Sequence, residues 1–203
     1  MYEDYEFVFT KGLYEIDGKG KKIYYLYDYY KKWWIDKYPD NHRIRDNYFT
    51  FISIKNGNYS PYKSSLKIDV AMSNFLKLLK GEWIICTVPG HEKTDNSYNN
   101  VYGLLKNINI PSNFKFQNTL IQRTVTVERK HNSTDRVMDY RIDMKSLKVN
   151  SSNLSGKNIL IVDDITTTGC SLIACKTLLL QANANKVVCL AIGKTKEVSY
   201  YGF

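Results

Sequence analysis

Apolar positions fall into two kinds of pattern along the chain. Trp83-Ile84-Ile85-Cys86-Thr87-Val88 and Asn158-Ile159-Leu160-Ile161-Val162 are short, nearly unbroken apolar runs, as expected of strands buried on both faces of a sheet. The first stops at Pro89-Gly90, where a turn must begin, and the second ends in Asp163-Asp164. From Ser64 to Lys80 the apolar residues Leu66, Val70, Ala71, Leu76 and Leu79 fall near one helical face, and Gly81 ends the segment. A helix from about Ser171 to Ala182 and a last strand from Lys186 to Ile192 follow the second run. Strand, helix, strand at this spacing requires parallel strands joined by a right-handed crossover.

Other segments carry weaker signals. YFTFISIKNGNYS at 48–60 reads as a strand running into a turn at Asn56-Gly57-Asn58. A helix is expected from about Ser97 to Asn107 and a short strand from Thr119 to Gln122, whereas residues 124–136 are polar and aperiodic and read as an exposed hairpin or loop. With no internal repeat or low-complexity linker, the expectation is one α/β unit. It divides into an aromatic-rich N-terminal extension or hood (1–47), part of the same unit, and the main domain (48–203).

Composition narrows the class. At 203 residues, 43% hydrophobic and 24% charged, the chain suits one soluble globular domain, not a disordered one. No apolar run reaches the length of a membrane span, and MYEDYEFVFTKG lacks a signal-peptide core, so a membrane location is not expected. Cys86, Cys170, Cys175 and Cys189 form no C-x-x-C pair, which argues against a zinc ribbon and for a reducing, cytoplasmic setting.

The net charge of +9 points to anionic partners, although the Lys-rich usage of a compositionally biased genome accounts for it equally well. Its distribution says more: residues 115–157 carry nine bases and four acids. Residues 1–62 hold 12 of the 17 tyrosines, including YYLYDYYKKWWIDKY at 24–38. Aromatics interleaved with lysines can stack single-stranded nucleic acid, but more often they pack a strand or helix on its neighbour.

The chemistry concentrates in ILIVDDITTTGCSL at 159–172. The apolar strand sets Asp163 and Asp164 at its carboxyl end, where open α/β sheets bind ligands. Loop N–H groups and the following helix N-terminus favour a phosphate, Thr166, Thr167, Thr168 and Ser171 add hydroxyls, and Gly169 allows close backbone approach. Two acids beside a phosphate would repel it unless they face sugar hydroxyls or a divalent cation, so the pattern selects a phosphorylated sugar with Mg2+. Simple capping of a helix explains one hydroxyl and one acid, but not two acids, three threonines and a glycine in this order.

VDDITTTGCS resembles the 5-phosphoribosyl-1-pyrophosphate (PRPP) loop of the type I phosphoribosyltransferases, with Cys170 where a small residue is usual. Ile84 to His91 is similar to the strand and turn of the pyrophosphate loop in the ComF-like, competence-associated branch. Leu120-Ile121-Gln122-Arg123, with Lys130, Ser133 and Arg136, resembles that branch's hood and flexible loop. The branch's N-terminal zinc ribbon is absent. The resemblance implies the type I fold, a mostly parallel central sheet flanked by helices, and transfer of a phosphoribosyl group from PRPP to a nitrogen-base acceptor.

It further implies that Asp163 and Asp164 hold the ribose hydroxyls near the Mg2+ of PRPP. Thr166, Thr167, Thr168, Gly169, Cys170 and Ser171 would bind the 5′-phosphate, and Gly90, His91, Lys93 and Arg123 the pyrophosphate. Lys130 and Arg136 would close over the reaction, and family analogy implies a homodimer. Any base site would have to come from the N-terminal aromatics or from Tyr200, Tyr201 and Phe203. The competing expectation is a catalytically silent module on the same fold that senses PRPP or a nucleotide and acts with nucleic acid or a protein partner.

Overall fold

A computed structural model of the chain describes residues 10–16, 19–60, 66–93, 100–127, 140–151 and 153–196. In chain order the elements are β1 (Thr10–Ile16), β2 (Lys19–Tyr29), α1 (Lys32–Lys37), α2 (His42–Lys55), α3 (Ile68–Lys77), β3 (Trp83–Thr87) and α4 (Asn100–Lys106). There follow β4 (Phe114–Phe116), a 3-10 turn (Asn118–Leu120), β5 (Ile121–Arg123), α5 (Tyr140–Lys145), β6 (Leu147–Val149), β7 (Asn158–Thr166), α6 (Cys170–Gln181) and β8 (Lys186–Thr195).

Six strands form one sheet in the order β1-β2-β8-β7-β3-β4, and β5 pairs with β6 in a separate antiparallel ribbon. Every neighbour in the large sheet is parallel except β1 with β2. This is the expected α/β architecture, a mostly parallel sheet flanked by helices. No helix among the described residues is long and apolar enough to cross a membrane.

The central strands are apolar throughout because both of their faces are covered. Along β7, Ile159 and Ile161 enter one core with α6, while Leu160 and Val162 enter the other with α2, α3 and α4. Burying one such side chain is worth about 1.5–3 kcal/mol. A charge anywhere in 159–162 would therefore unseat a core whichever way it pointed.

Residues 48–55 are not a strand. They are the second half of α2, whose buried residues Ile44, Asn47, Phe51 and Ile54 follow a three- and four-residue spacing. Asn41 caps the helix by accepting from the Ile44 N–H at 3.1 Å, and Gly57 turns the chain at its end with φ 71°. Tyr48-Phe49-Thr50-Phe51-Ile52 is β-prone by composition, but packing decides. Phe51 lies against Gly193 on β8, where a Cβ would come within 2.5 Å of its ring.

Helix α3 presents Ile68, Ala71, Met72, Phe75 and Leu76 to the core, and Val70, expected on that face, is exposed. It ends at Lys77, and Gly81 (φ 83°) belongs to the turn that enters β3. The short strand expected at 119–122 begins two residues later, at Ile121, after the 3-10 turn.

The N-terminal aromatic run divides between β2 and α1. β2 lies parallel to β8, pairing Tyr24 with Leu190 and Tyr29 with Thr195, and so extends the central sheet. The α1 rings stack mainly on one another: Trp33 on Trp34 at 4.6 Å and Trp34 on Tyr38 at 5.6 Å between centroids. Helix α2 runs without interruption through 47 and 48, where the sequence pattern suggested a boundary.

Candidate functional site

Because β2, β8, β7 and β3 are parallel, their carboxyl ends share one edge of the sheet. Thr87 is level with Val162, and the Val88 N–H continues the pairing to the Val162 carbonyl at 3.0 Å. The turn at Pro89-Gly90 therefore starts beside Asp163. On the other side Thr166 is level with Lys194. Both loops singled out in the sequence thus leave neighbouring strands at one edge.

The acid pair and the cap of the β7–α6 loop are shaped by neighbouring residues. The Asp163 Oδ1 accepts from the Asp164 N–H at 3.0 Å, and the Asp164 Oδ1 accepts from the Ile165 N–H at 2.6 Å. Gly169 precedes α6 with φ 81°, a left-handed conformation that costs other residues roughly 1–2 kcal/mol. The Thr168 hydroxyl accepts from the Cys170 N–H at 3.5 Å, a loose cap at the start of a 12-residue helix. Thr166 is buried, and Thr167 shares a hydrogen bond of 2.8 Å with the Thr195 hydroxyl. The Cys170 thiol is buried in the core, so only its main chain belongs to the loop.

The acid pair carries a strained charge. Burial, and then the Asp164 carboxylate beside it, raise the Asp163 pKa well above the ordinary carboxylate range, while the Lys55 ammonium pulls it down. Lys55 ends α2 and lies 5.8 Å from the Tyr29 ring centroid, and Tyr29 feels Asp164 in turn: its own pKa is raised by burial, Tyr48 and Asp164. The thiols offer no nucleophile here. Burial pushes Cys86 and Cys175 well up, and Cys189 up to about 12.

The loop after β3 is organised from a distance. The Thr87 N–H and hydroxyl both donate to Asn118 Oδ1. The Val127 N–H donates to the His91 carbonyl at 2.8 Å, and the Lys93 N–H to the Thr126 hydroxyl at 3.0 Å. His91 lies 3.3 Å from Glu92 at the surface, Lys93 is exposed, and a Cβ at Gly90 would meet nothing within 4 Å. Gly90 therefore leaves an open approach to the backbone that the fold itself does not require.

Arg123 sits beneath this loop. It is buried, its Nε donates to the Gly90 carbonyl at 2.9 Å, its Nη2 to the Pro89 carbonyl at 3.4 Å and its Nη1 to the Ser146 hydroxyl at 2.5 Å. Its pKa is lowered by burial and held up by Asp143, 4.0 Å away. Lys130, Ser133, Arg136, Tyr200, Tyr201 and Phe203 lie outside the described residues.

The edge also gathers residues that no local pattern marked: Tyr29, Lys55, Asp143, Lys194 and Thr195. Lys194 donates from Nζ to the Thr167 carbonyl, and Asp143 accepts from the Ser171 hydroxyl at 3.2 Å. Lys194 and Thr195 end β8, which runs three residues past the Ile192 expected from the sequence. The others depend on contacts across the fold.

As a cation site the acid pair is spare. Each carboxylate accepts from a main-chain N–H through one oxygen. No cluster of three or more acidic, histidine or cysteine ligands occurs among the described residues. Hard oxygen donors of this number suit Mg2+ that brings further oxygens with a phosphorylated ligand, and would not form a protein-only cage.

Residues 117–197 match the phosphoribosyl transferase domain family. Two crystal forms, tetragonal and orthorhombic, of a hypoxanthine phosphoribosyltransferase from Staphylococcus aureus align at 16% identity with a TM-score of 0.37, over 74% of this chain and 70% of theirs. No curated protein matches the chain. The matched segment carries Arg123, the acid pair and the threonine loop, and the loop after β3 lies before it. Residues 117–197 are thus similar to a phosphoribosyl transferase domain, and they lie in a mostly parallel α/β sheet.

Proposed function

We propose that the chain transfers the 5-phosphoribosyl group of PRPP to a nitrogen acceptor in the cytoplasm. The acceptor nitrogen bonds to C1 of the ribose, the C1–O bond to pyrophosphate breaks with its electron pair, and the acceptor loses a proton. The observation that carries this reading is the adjacency of the two loops. A threonine-rich loop at a helix N-terminus and an open glycine turn leave neighbouring parallel strands, with two carboxylates at the junction.

In this reading Thr166 to Ser171 hold the 5′-phosphate through N–H groups and hydroxyls, and Asp163 and Asp164 accept from the ribose 2′- and 3′-hydroxyls. Gly90, His91 and Lys93 meet the pyrophosphate, with Lys130 and Arg136 closing over it. Mg2+ carried on the pyrophosphate, near Asp163 and Asp164, would supply charge neutralisation for the leaving group. The V-P-G-H turn and the L-I-Q-R segment support a place in the ComF-like branch.

A second reading keeps the pocket but makes it a sensor of PRPP or a nucleotide, acting with nucleic acid or a protein. One observation favours it: Arg123 faces inward, so cationic help for a leaving pyrophosphate must come from elsewhere.

Thermal melts with PRPP and Mg2+, ribose 5-phosphate, pyrophosphate and nucleoside monophosphates test both. A ligand at 100 times its Kd stabilises by about 2.7 kcal/mol, a rise in Tm of roughly 5–10 °C at this chain length. Asp163→Asn with Asp164→Asn should abolish the PRPP shift in a folded protein, and an unchanged shift would overturn the site. Pyrophosphate release with the base of the best monophosphate identifies the enzyme; PRPP binding without release with any base identifies the sensor.

A further inference from the structure

Arg123 and Asp143 are each about 4% exposed in their side chains, so neither reaches a ligand at the sheet edge, yet between them they touch both loops. Arg123 donates to the carbonyls of Pro89 and Gly90 on the pyrophosphate side. Asp143 accepts from Ser171 in the first turn of α6, on the 5′-phosphate side. Ser146 completes the unit: its hydroxyl accepts from Arg123 and donates to the Asp143 carbonyl at 2.7 Å. A guanidinium fork with three separate acceptors is held far more rigidly than a lysine ammonium would be. Removing one partner of such a pair strands the other in a medium where an unpaired charge is costly.

We propose that Arg123, Asp143 and Ser146 are positioning residues forming one buried footing under both ligand loops, so that the spacing between the pyrophosphate and 5′-phosphate sides is set by side chains that touch neither group. This rests on the function proposed above, and it replaces the direct pyrophosphate contact that sequence resemblance gives Arg123. Asp143 on α5 and Ser146 just after it lie 28 and 25 residues before Ser171, so no local motif joins them to it.

The test compares Ser146→Ala, Asp143→Asn and Arg123→Lys in the full chain, at a temperature well below each variant's Tm. Two readouts are taken: calorimetric Kd for Mg2+-pyrophosphate and for ribose 5-phosphate, and amide hydrogen exchange without ligand. Losing one charge-assisted hydrogen bond corresponds to about tenfold or more in an equilibrium constant. Ser146→Ala and Arg123→Lys should weaken pyrophosphate about tenfold and leave ribose 5-phosphate within about twofold. Asp143→Asn should weaken both.

Without ligand, exchange should quicken at 90–93 in all three variants, and also at 169–172 in Asp143→Asn alone. A merely structural role would lower Tm and leave the split between the two ligands untouched. Wild-type exchange and wild-type pyrophosphate affinity in Ser146→Ala would overturn the proposal even if Asp143→Asn fails to fold. If the wild-type protein binds neither phosphate ligand but exchange follows the expected pattern, the functional reading fails and the footing stands.

Discussion

The two loops at the carboxyl edge differ in where their shaping bonds come from: Thr167 and Ser171 of the β7–α6 loop are tied from Thr195, Lys194 and Asp143, but its acid pair and cap are shaped locally. In the β7–α6 loop the bonds that shape Asp163, Asp164 and Thr168 join residues one or two apart, and a single left-handed glycine turns the chain into its helix. In the loop after β3 the bonds come from Asn118, Arg123, Thr126 and Val127, 31 to 36 residues downstream. A loop held by near neighbours carries its geometry in a short motif, and one held from afar keeps its geometry in the fold. The family match takes in the first loop and begins after the second.

The contrast can be broken from the distant side first. Arg123→Ala should cost about 3–5 kcal/mol, since it strands a buried Asp143. The loss should be visible in a urea melt and partly recovered by Arg123→Ala with Asp143→Ala, which leaves no unpaired charge. Gly169→Ala acts on the β7–α6 loop and should cost about 1–2 kcal/mol. Because α6 begins there, PRPP affinity should fall by more than this stability loss conveys.

A pH series sharpens the comparison, because the β7–α6 loop holds a carboxyl, Asp163, whose raised pKa exposes it to titration. Folding favours protonated Asp163, so that contribution to stability is full below the unfolded carboxyl pKa and fades as pH rises through the raised folded value. PRPP affinity should move the other way, growing over the same window as the carboxylate forms. Asp163→Asn should flatten both curves in paired melts and titrations. The smallest effect is expected at Gly90→Ala, where the new methyl meets no protein atom: stability should stay within about 0.5 kcal/mol. Pyrophosphate binding should nevertheless weaken in calorimetry, and equal affinity would show that no ligand approaches Gly90.

Much of the fold was legible because the central strands are buried on both faces. Residues 83–88 and 158–162 could hardly be anything but inner strands, and the strand–helix–strand spacing after 158 required parallel pairing. The N-terminal half was harder to read, since its aromatics suit strand, helix and ligand surface alike. Phe51 and Ile54 take helical spacing because Gly193 opens a recess for the Phe51 ring, and β2 takes its place because β8 offers a bare edge. Neither fact is local. Arg123 shows the same gap in the site: a base near a phosphate motif suggests ligand contact, and only its burial over Ser146 and Asp143 turns it inward.

By itself, then, the amino-acid sequence determined the parallel α/β core, the acid pair at a strand end and the threonine–glycine loop that follows it. All are consequences of neighbouring residues and of the period of apolar positions. Tertiary structure alone decided that the N-terminal aromatics extend the sheet, that Lys55 and Tyr29 come to the acid pair, and that Arg123 supports a loop from below. Those outcomes depend on which surfaces meet after the chain has closed contacts across 30 residues or more, and hydrogen bonds of that range leave no periodic trace in the order of the residues.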